Sequence, residues 1–484
     1  MRLGKFFSAL LLGGVLVTQP ASGKVFLKVS QAELPPAKAM GVSDLVFVWP
    51  VGNDSVLNKA MALGYRVFLE ATPGDLSVVA DAAEKTNAVG VVFDTENLDS
   101  LASEEVLRNA QSAHSKLSFL VLSPGGKEPQ MKARLVVDRD GILQVSSPTS
   151  QPWVDSNLAL VRFARAFRPA AIPLYSFHWN LSDTLRKKLG PTAEDYSLAI
   201  AEANAFRADV ILDLHERLQK GLAHNETDAW ELWNNVKRVV ALQSVESAPE
   251  LLPAPLANTG IVTNDYRVSY EGSNLMARHN IPFVVLRPAD LEAQRLNGLD
   301  MLVVFVAPTI AACRVLDDFA RQGGIVVVVN LRGDFPWHSS EPIRRNVQSA
   351  MYNVGTGQIV EFAEPVIDPE VFSRDIRRLM GVQRTSLSLW NSLTTVAVPY
   401  REKPDGETIL NLVNYALEPE PVQVQIKGHF SSILYESPEE GCCQSIKPIE
   451  RDGFTEFVIP ALFISGRVHL KPAVSNSSSS SSVL

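Results

Sequence analysis

Short apolar runs alternate with helical patterns along the first half of the chain. Eight such runs occur, and most are near-continuous hydrophobics, as is typical of strands buried on both faces of a sheet. They are Val25–Ser30, Leu45–Pro50, Arg66–Ala71, Gly90–Thr95, Ser118–Ser123, Ile142–Ser147, Ile172–Phe177 and Asp209–His215. The alternation predicts an α/β fold, a TIM-like (β/α)₈ barrel. A doubly wound open sheet is the alternative, because the segment around 125–140 lacks a good helical pattern.

The pattern changes twice after the barrel. Pro249, Pro253 and Pro255 predict a linker, and a second series of apolar runs and helices follows it. From about Thr394, short alternating strands with turn residues predict a C-terminal antiparallel β-sandwich. The predicted divisions are a signal peptide at 1–23, the barrel at 24–245, an α/β domain at 256–385, the sandwich at 392–472 and a disordered Ser-rich tail at 473–484.

Stretches of the second half carry a resemblance. Leu299–Pro308 with Leu316–Val329, and Thr408–Ala416 with Phe457–Leu462, resemble the family 42 β-galactosidases and their relatives. The resemblance implies a catalytic barrel, a glutamine-amidotransferase-like α/β domain and a terminal β-sandwich. The middle domain lacks the Gly-x-Cys-x-Gly elbow, and Cys313 falls inside a predicted helix. We therefore predict a structural domain there, which favours a homo-oligomer.

The barrel departs from the family in its carboxylates. The resemblance implies a general acid after the fourth strand and a nucleophile after the seventh. The fourth run supplies Asp94 and Glu96, but the seventh supplies no carboxylate, and Asp213 and Glu216 stand one run later. A strand count that is off by one, a different chemistry or a lost activity would each explain this. The catalytic pair is accordingly not matched to the family.

The residues themselves suggest a site at the barrel mouth. Hydrolysis of a glycoside needs two carboxylates, one protonated and one ionised, at opposite rims. Asp94 or Glu96 could supply one, and Asp213 or Glu216 the other. The alternative is structural: Asp94 would cap a helix, and Glu216 would be an ordinary first-turn acid.

Further polar and aromatic residues lie at or just past the predicted strand ends. Glu70 could contact a substrate hydroxyl or form a salt bridge, and the aromatic rings could stack on sugars or plug the barrel. The candidate binding residues are Glu70, Trp49, Trp153, His178, Trp179 and His215. His215 has no second clustered histidine, so we predict no metal site and no cofactor.

Composition and charge restrict the partners. The chain of 484 residues is 46% hydrophobic and 20% charged, as expected of a soluble globular protein. Its net charge of −8, without a basic stripe, argues against nucleic acid. The three cysteines are predicted to be free or buried thiols, with Cys442 and Cys443 adjacent in a turn.

The first residues have the features of a signal peptide. Arg2 and Lys5 precede the apolar segment Phe6–Val17, and Ala21-Ser22-Gly23 supplies small residues for cleavage. The segment is shorter than the roughly 20 apolar residues of a membrane span. We expect a secreted or periplasmic protein with no stable membrane span after cleavage, and an uncleaved anchor is the alternative.

Together these features predict an exported glycoside-hydrolase-like protein that acts on glycans by two-carboxylate hydrolysis. The alternative is a non-catalytic carbohydrate-binding or cell-envelope assembly protein that retains a degenerate glycosidase architecture. A carbohydrate is the expected ligand or substrate in both cases.

Overall fold

A computed structural model gives the fold of most of the chain. It describes residues 23–30, 33–51, 54–95, 101–122, 137–139, 142–144, 156–169, 171–179, 188–244, 254–331, 333–366, 368–401, 406–416 and 418–473. The predicted signal peptide and Ser-rich tail lie outside these residues, apart from Gly23 and Ala473. In the described part of the chain, no helix has both the length and the apolar character needed to cross a bilayer.

The N-terminal half forms a closed parallel barrel surrounded by helices. Its elements in chain order are β1 (Val25–Lys28), α1 (Ala37–Met40), β2 (Asp44–Val48), α2 (Asp54–Ala62), β3 (Arg66–Ala71), α3 (Leu76–Lys85), β4 (Gly90–Asp94), α4 (Leu101–Ala113), β5 (Ser118–Leu122), β6 (Val137–Arg139), β7 (Ile142–Gln144), α5 (Leu158–Phe167), β8 (Leu174–Phe177), α6 (Ala193–Phe206), β9 (Asp209–Asp213), α7 (Glu216–Ala223) and α8 (Thr227–Ser244). The barrel order is β1-β2-β3-β4-β5-β8-β9, and β9 pairs with β1 to close the ring. The TIM-like barrel is therefore confirmed, and the open sheet is excluded.

The described barrel has seven strands, and the sixth predicted run is not one of them. Ile142–Gln144 instead pairs antiparallel with Val137–Arg139 in a separate two-stranded sheet. The two strands are separated by Asp140-Gly141, a two-residue sequence that favours a tight hairpin. The hairpin signal outweighs the apolar character of the run, and β5 meets β8 directly through Leu122 and Leu174.

Apolar side chains fill the middle of the barrel. The layer consists of Phe26, Val46, Phe68, Val92, Leu122, Leu174 and Ile211, with Leu120 partly buried against it. Side chains alternate between the two faces of a strand, so residues two positions before or after these also face the interior. This alternation determines which polar residues reach the two ends of the barrel.

The second part of the chain is a seven-stranded mixed sheet with helices. Its elements are β11 (Thr259–Val262), α9 (Tyr266–Arg278), β12 (Phe283–Leu286), β13 (Met301–Val304), α10 (Ile310–Arg321), β14 (Ile325–Val329), β15 (Arg344–Arg345), β16 (Ser349–Val354), β17 (Gly357–Phe362) and α11 (Pro369–Arg384); β10 (Ala254–Pro255) precedes them. Five strands are parallel, and the hairpin β15–β16 adds an antiparallel edge. Cys313 is buried within α10, as predicted, and burial raises the pKa of its thiol. The amidotransferase-like character of this part stays a prediction.

The last part is antiparallel and β-rich, as predicted. Its strands are β18 (Leu387–Trp390), β19 (Thr395–Arg401), β20 (Thr408–Asn414), β21 (Glu420–Lys427), β22 (Phe430–Ser437), β23 (Gly441–Ile446), β24 (Ile449–Arg451), β25 (Phe454–Leu462) and β26 (Ser465–Pro472). They form one sheet of order β10-β19-β20-β26-β22-β23 and another of order β18-β21-β25-β24, with a shared apolar core. Cys442 and Cys443 are bonded to each other on β23, which corrects the prediction of free thiols in a turn.

Buried polar contacts join the β-rich part to the barrel helices. The guanidinium carbons of Arg162 on α5 and Arg207 after α6 lie 5.2 and 5.1 Å from the ring centroid of Tyr400 on β19. All three residues are buried. Cations over an aromatic face are attracted by the ring quadrupole, so this arrangement stabilises the junction.

A glycine in the barrel provides a test of its packing. A Cβ at Gly90 would lie 2.0 Å from the backbone oxygen of Ser118 on β5. Since a strand backbone cannot move without breaking its ladder, Gly90→Ala should lower the free energy of unfolding by roughly 3 kcal/mol, the upper end of the usual overpacking cost. Chemical denaturation measures this. Gly74→Ala is the matched control, because its Cβ would meet nothing within 4 Å. Equal stability of the two variants would contradict the packing at β4–β5.

Candidate functional site

Charged residues face the interior at the carboxyl ends of the barrel strands. Each lies two positions beyond a residue of the apolar layer: Lys28 on β1, Glu70 on β3, Asp94 on β4 and Asp213 on β9. Active sites of such barrels are built at this face. We call these four residues, with His178, the mouth cluster.

Asp213 and His178 form the most direct contact in the mouth cluster. His178 follows the last residue of β8, and Asp213 ends the neighbouring strand β9. The Nδ1 atom of His178 lies 2.7 Å from the Oδ2 atom of Asp213. The Asp213 side chain keeps 30% of its exposure, so its carboxylate is held in place and remains reachable from solvent.

Glu70 forms a salt bridge, one of its two predicted roles. Its Oε2 atom accepts a hydrogen bond from Nζ of Lys28 at 2.6 Å, and both side chains are largely buried. Sequence analysis missed Lys28, because a lysine at the end of an apolar run resembles a solvent-exposed flank. Its spacing of two from the inward-facing Phe26 was the available signal.

Asp94 is the most buried carboxylate of the mouth cluster. It is the last residue of β4 and is 4% exposed. The next residue, Thr95, donates a hydrogen bond from Oγ1 to the carbonyl oxygen of Leu122 at 3.1 Å. This bond ties the end of β4 to β5 and so restrains the position of Asp94.

The structure favours the structural alternative for Glu216. It is the first residue of α7, its side chain is 61% exposed, and it accepts a hydrogen bond from Lys220 of the same helix. That hydrogen bond lowers the pKa of Glu216 below its usual value. A carboxylate on the surface of a helix is not among the residues that strand alternation brings to the mouth, and we leave Glu216 out of the proposed pair.

The remaining candidates have mixed placements. His215 caps α7: its Nδ1 atom accepts a hydrogen bond from the backbone N–H of Arg217 at 3.3 Å. The backbone N–H of His215 donates a hydrogen bond to the hydroxyl of Tyr196. Trp49 and Trp179 are partly buried and pack against the core between the barrel strands and the helices, and their two predicted roles stay predictions. Glu96 and Trp153 lie outside the described residues.

A grouping that resembles a metal site occurs on the β-rich part. Among the residues that the structure describes, Glu436, Cys442 and Cys443 have ligand atoms within 4.8 Å of one another. The two sulfurs are bonded to each other, and Glu436 accepts hydrogen bonds from Arg467 and binds His469. A thiolate is the form of cysteine that binds metal, so this group is not a metal site in its disulfide form.

Known proteins share the fold of the chain. No family model and no curated protein sequence matches it. Among solved structures, α-L-fucosidase isoenzyme 2 from Paenibacillus thiaminolyticus superposes with a TM-score of 0.58 at 12% identity, over 93% of this chain and 99% of the other. The chain is glycoside-hydrolase-like in fold.

Two β-galactosidases are also similar. A GH42 β-galactosidase from G. stearothermophilus matches at a TM-score of 0.49 and 11% identity, over 94% of this chain and 99% of the other. A β-galactosidase from Bacillus circulans sp. alkalophilus matches at 0.45 and 10% identity, over 90% and 95%. With the fucosidase match, the resemblance drawn from the sequence is confirmed as one of fold, and these matches do not test the catalytic pair.

The Lys28–Glu70 pair can be tested by removing one partner and then both. Lys28→Met should lower the free energy of unfolding by about 1–3 kcal/mol, because the largely buried Glu70 carboxylate is left without its cation. Adding Glu70→Leu should recover part of this loss. Denaturant titrations of the three proteins measure both effects.

Lys220→Met is the matched control for the Lys28 variants. It removes the partner of an exposed glutamate, and an exposed pair contributes little. If the Lys28→Met and Lys220→Met proteins have equal free energies of unfolding, the Lys28–Glu70 bridge does not stabilise the mouth of the barrel.

Proposed function

We propose that this protein is exported and hydrolyses glycans at the barrel mouth, with Asp94 and Asp213 as its two carboxylates. The observation that carries the proposal is their position on the ring. Asp94 ends the fourth strand of the described barrel, and Asp213 ends the seventh, three strands further round in the order β4-β5-β8-β9. They therefore approach the mouth from opposite sides, as a pair acting on one bond requires.

The strand count supports this pair. The resemblance to family 42 implies an acid after the fourth strand and a nucleophile after the seventh. With Ile142–Gln144 in a hairpin outside the barrel, the seventh described strand is β9 and its terminal carboxylate is Asp213. Counted over the described strands, a strand count that was off by one is the explanation of the sequence mismatch that we adopt in this proposal.

The surroundings of the two carboxylates suit different roles. Asp94 is buried at the end of β4, and we assign it the role of the acid that gives a proton to the leaving oxygen. Asp213 is partly exposed and is held by His178, so substrate can reach it, and we assign it the role of the group that attacks the sugar or activates a water. Lys28 and Glu70 would hold sugar hydroxyls beside them.

A non-catalytic carbohydrate-binding protein is the second candidate. Two contacts support it: Glu70 is paired with the cationic Lys28, and Asp213 is paired with the ionisable His178. Such pairs can bind sugar hydroxyls without performing chemistry. Export is proposed from the sequence features of the first 23 residues in either case.

Turnover of nitrophenyl glycosides and natural glycans tests the catalytic pair. Asp94→Asn and Asp213→Asn should each lower kcat by about 10²–10⁴-fold, the usual contribution of one acid or base. Glu216→Gln should leave kcat unchanged, because its carboxylate lies on the surface of α7.

Two outcomes would count against the proposal. Full turnover in either aspartate variant would remove that residue from the mechanism. Sugar binding by calorimetry, with no turnover of any substrate by the wild-type protein, would establish the binding function instead.

A further inference from the structure

The end of the barrel opposite the mouth contains a buried carboxylate. Asp209 begins β9 and is 3% exposed. Its Oδ1 atom accepts hydrogen bonds from the backbone N–H of Gly23 at 3.0 Å and from that of Lys24 at 2.8 Å. The backbone N–H groups of two consecutive residues thus point at this aspartate.

The charged groups around Asp209 only partly compensate the negative charge of its carboxylate. The Lys24 side chain attracts it, and Asp44 on β2 repels it, while Arg66 on β3 is bonded to Asp44 at 2.6 Å. Burial is the strongest effect and raises the pKa of Asp209 to about 7, in spite of the two N–H donors. A further positive charge at the Lys24 nitrogen would stabilise the ionised carboxylate.

We propose that hydrolysis of the Gly23–Lys24 peptide bond by a signal peptidase creates an α-ammonium group on Lys24 that forms a buried ion pair with Asp209. Water supplies the oxygen of the new Gly23 carboxylate, and the released Lys24 amine takes up a proton. Gly23 directly before the bond, and Ala21 two residues earlier, are the small residues that such a cleavage requires. This step rests on the exported character proposed above, and it adds a role for the new chain end.

The new chain end would remain in place after cleavage. The carbonyl oxygen of Lys24 accepts a hydrogen bond from the backbone N–H of Val210 at 2.9 Å, and β1 pairs with both β2 and β9 from Phe26 onward. Cleavage removes the N–H of Gly23 from Asp209. The ammonium group replaces one amide donor with three, and a charge-assisted bond is stronger than a neutral one.

The proposal gives a defined pH dependence. While the Gly23–Lys24 bond is intact, the pKa of Asp209 is higher in the folded state than its usual 3.8, so the folded state holds the proton more tightly. The contribution of this group to the free energy of unfolding is then fully present below about pH 4 and is lost as the pH rises towards about 7. An ammonium group beside Asp209 opposes this loss, and the side chains of Lys24, Asp44 and Arg66 surround the carboxylate in both forms.

Two chains that differ only at the amino terminus test the pair. One begins at Lys24 with a free amine, released from a removable fusion, and the other retains Ser22-Gly23 before it. At about pH 7.5 the chain that begins at Lys24 should have a Tm about 3 °C higher, the shift expected for one such interaction in a domain of this size. The difference should shrink near pH 5 and disappear when both chains carry Asp209→Asn. Equal Tm values at about pH 7.5, or a difference that persists with Asp209→Asn, would overturn the pair.

A second measurement does not require the Asp209→Asn variant to fold. Acylation of the Lys24 α-amine by acetic anhydride should be at least about tenfold slower in the folded chain than after unfolding, the factor that corresponds to 1.4 kcal/mol. Equal rates would contradict the ion pair. Mass spectrometry of the exported protein should find Lys24 as its first residue, and any other first residue overturns the cleavage site. None of these measurements uses turnover or sugar binding, so their failure is distinct from failure of the proposed hydrolysis.

Discussion

The parallel pairing of β9 with β1 is the constraint on which the rest of the barrel depends. Four residue pairs join the two strands, from Val25 with Val210 to Lys28 with Asp213. This contact between segments about 185 residues apart turns a row of strands into a ring. Without it, β4 and β9 would lie three strands apart in an open sheet. With it, both strand ends belong to the same mouth of one ring.

The two ends of the β1–β9 pair show why charges are tolerated within strongly apolar strands. Residues that face outward, such as Leu27 and Leu212, are fully buried under the helices and have to be apolar. Inward-facing residues at the mouth contact solvent or each other, so Lys28 and Asp213 can be charged there. At the opposite end, Asp209 is enclosed, and its charge must be balanced by donors from the chain itself. The same alternation thus yields an accessible site at one end and a closed one at the other.

Much of the architecture could be predicted from local patterns. Seven of the eight apolar runs are barrel strands, and the change from parallel to antiparallel patterns was visible near Thr394. The run beginning at Ile142 was misassigned, because apolar character alone does not separate a barrel strand from a short hairpin. Within the site, Asp94 and Asp213 could be selected because they end such runs. The Lys28–Glu70 bridge could not, since β1 and β3 do not pair with each other and these two residues, 42 positions apart in the chain, meet across β2.

Glu216 shows how small the difference is between a residue at the mouth and one outside it. Asp213 is separated by two positions from Ile211, which lies in the apolar layer, so its side chain faces the interior. Glu216 comes only three residues later, but the chain has by then turned at His215, which caps the next helix. The direction of a side chain depends on the secondary structure around it. Side chains on one face repeat about every 2 residues in the strand before this cap and about every 3.6 residues in the helix after it. A carboxylate on the strand side of the cap is directed into the barrel, whereas one on the helix side pairs with a lysine one turn further along.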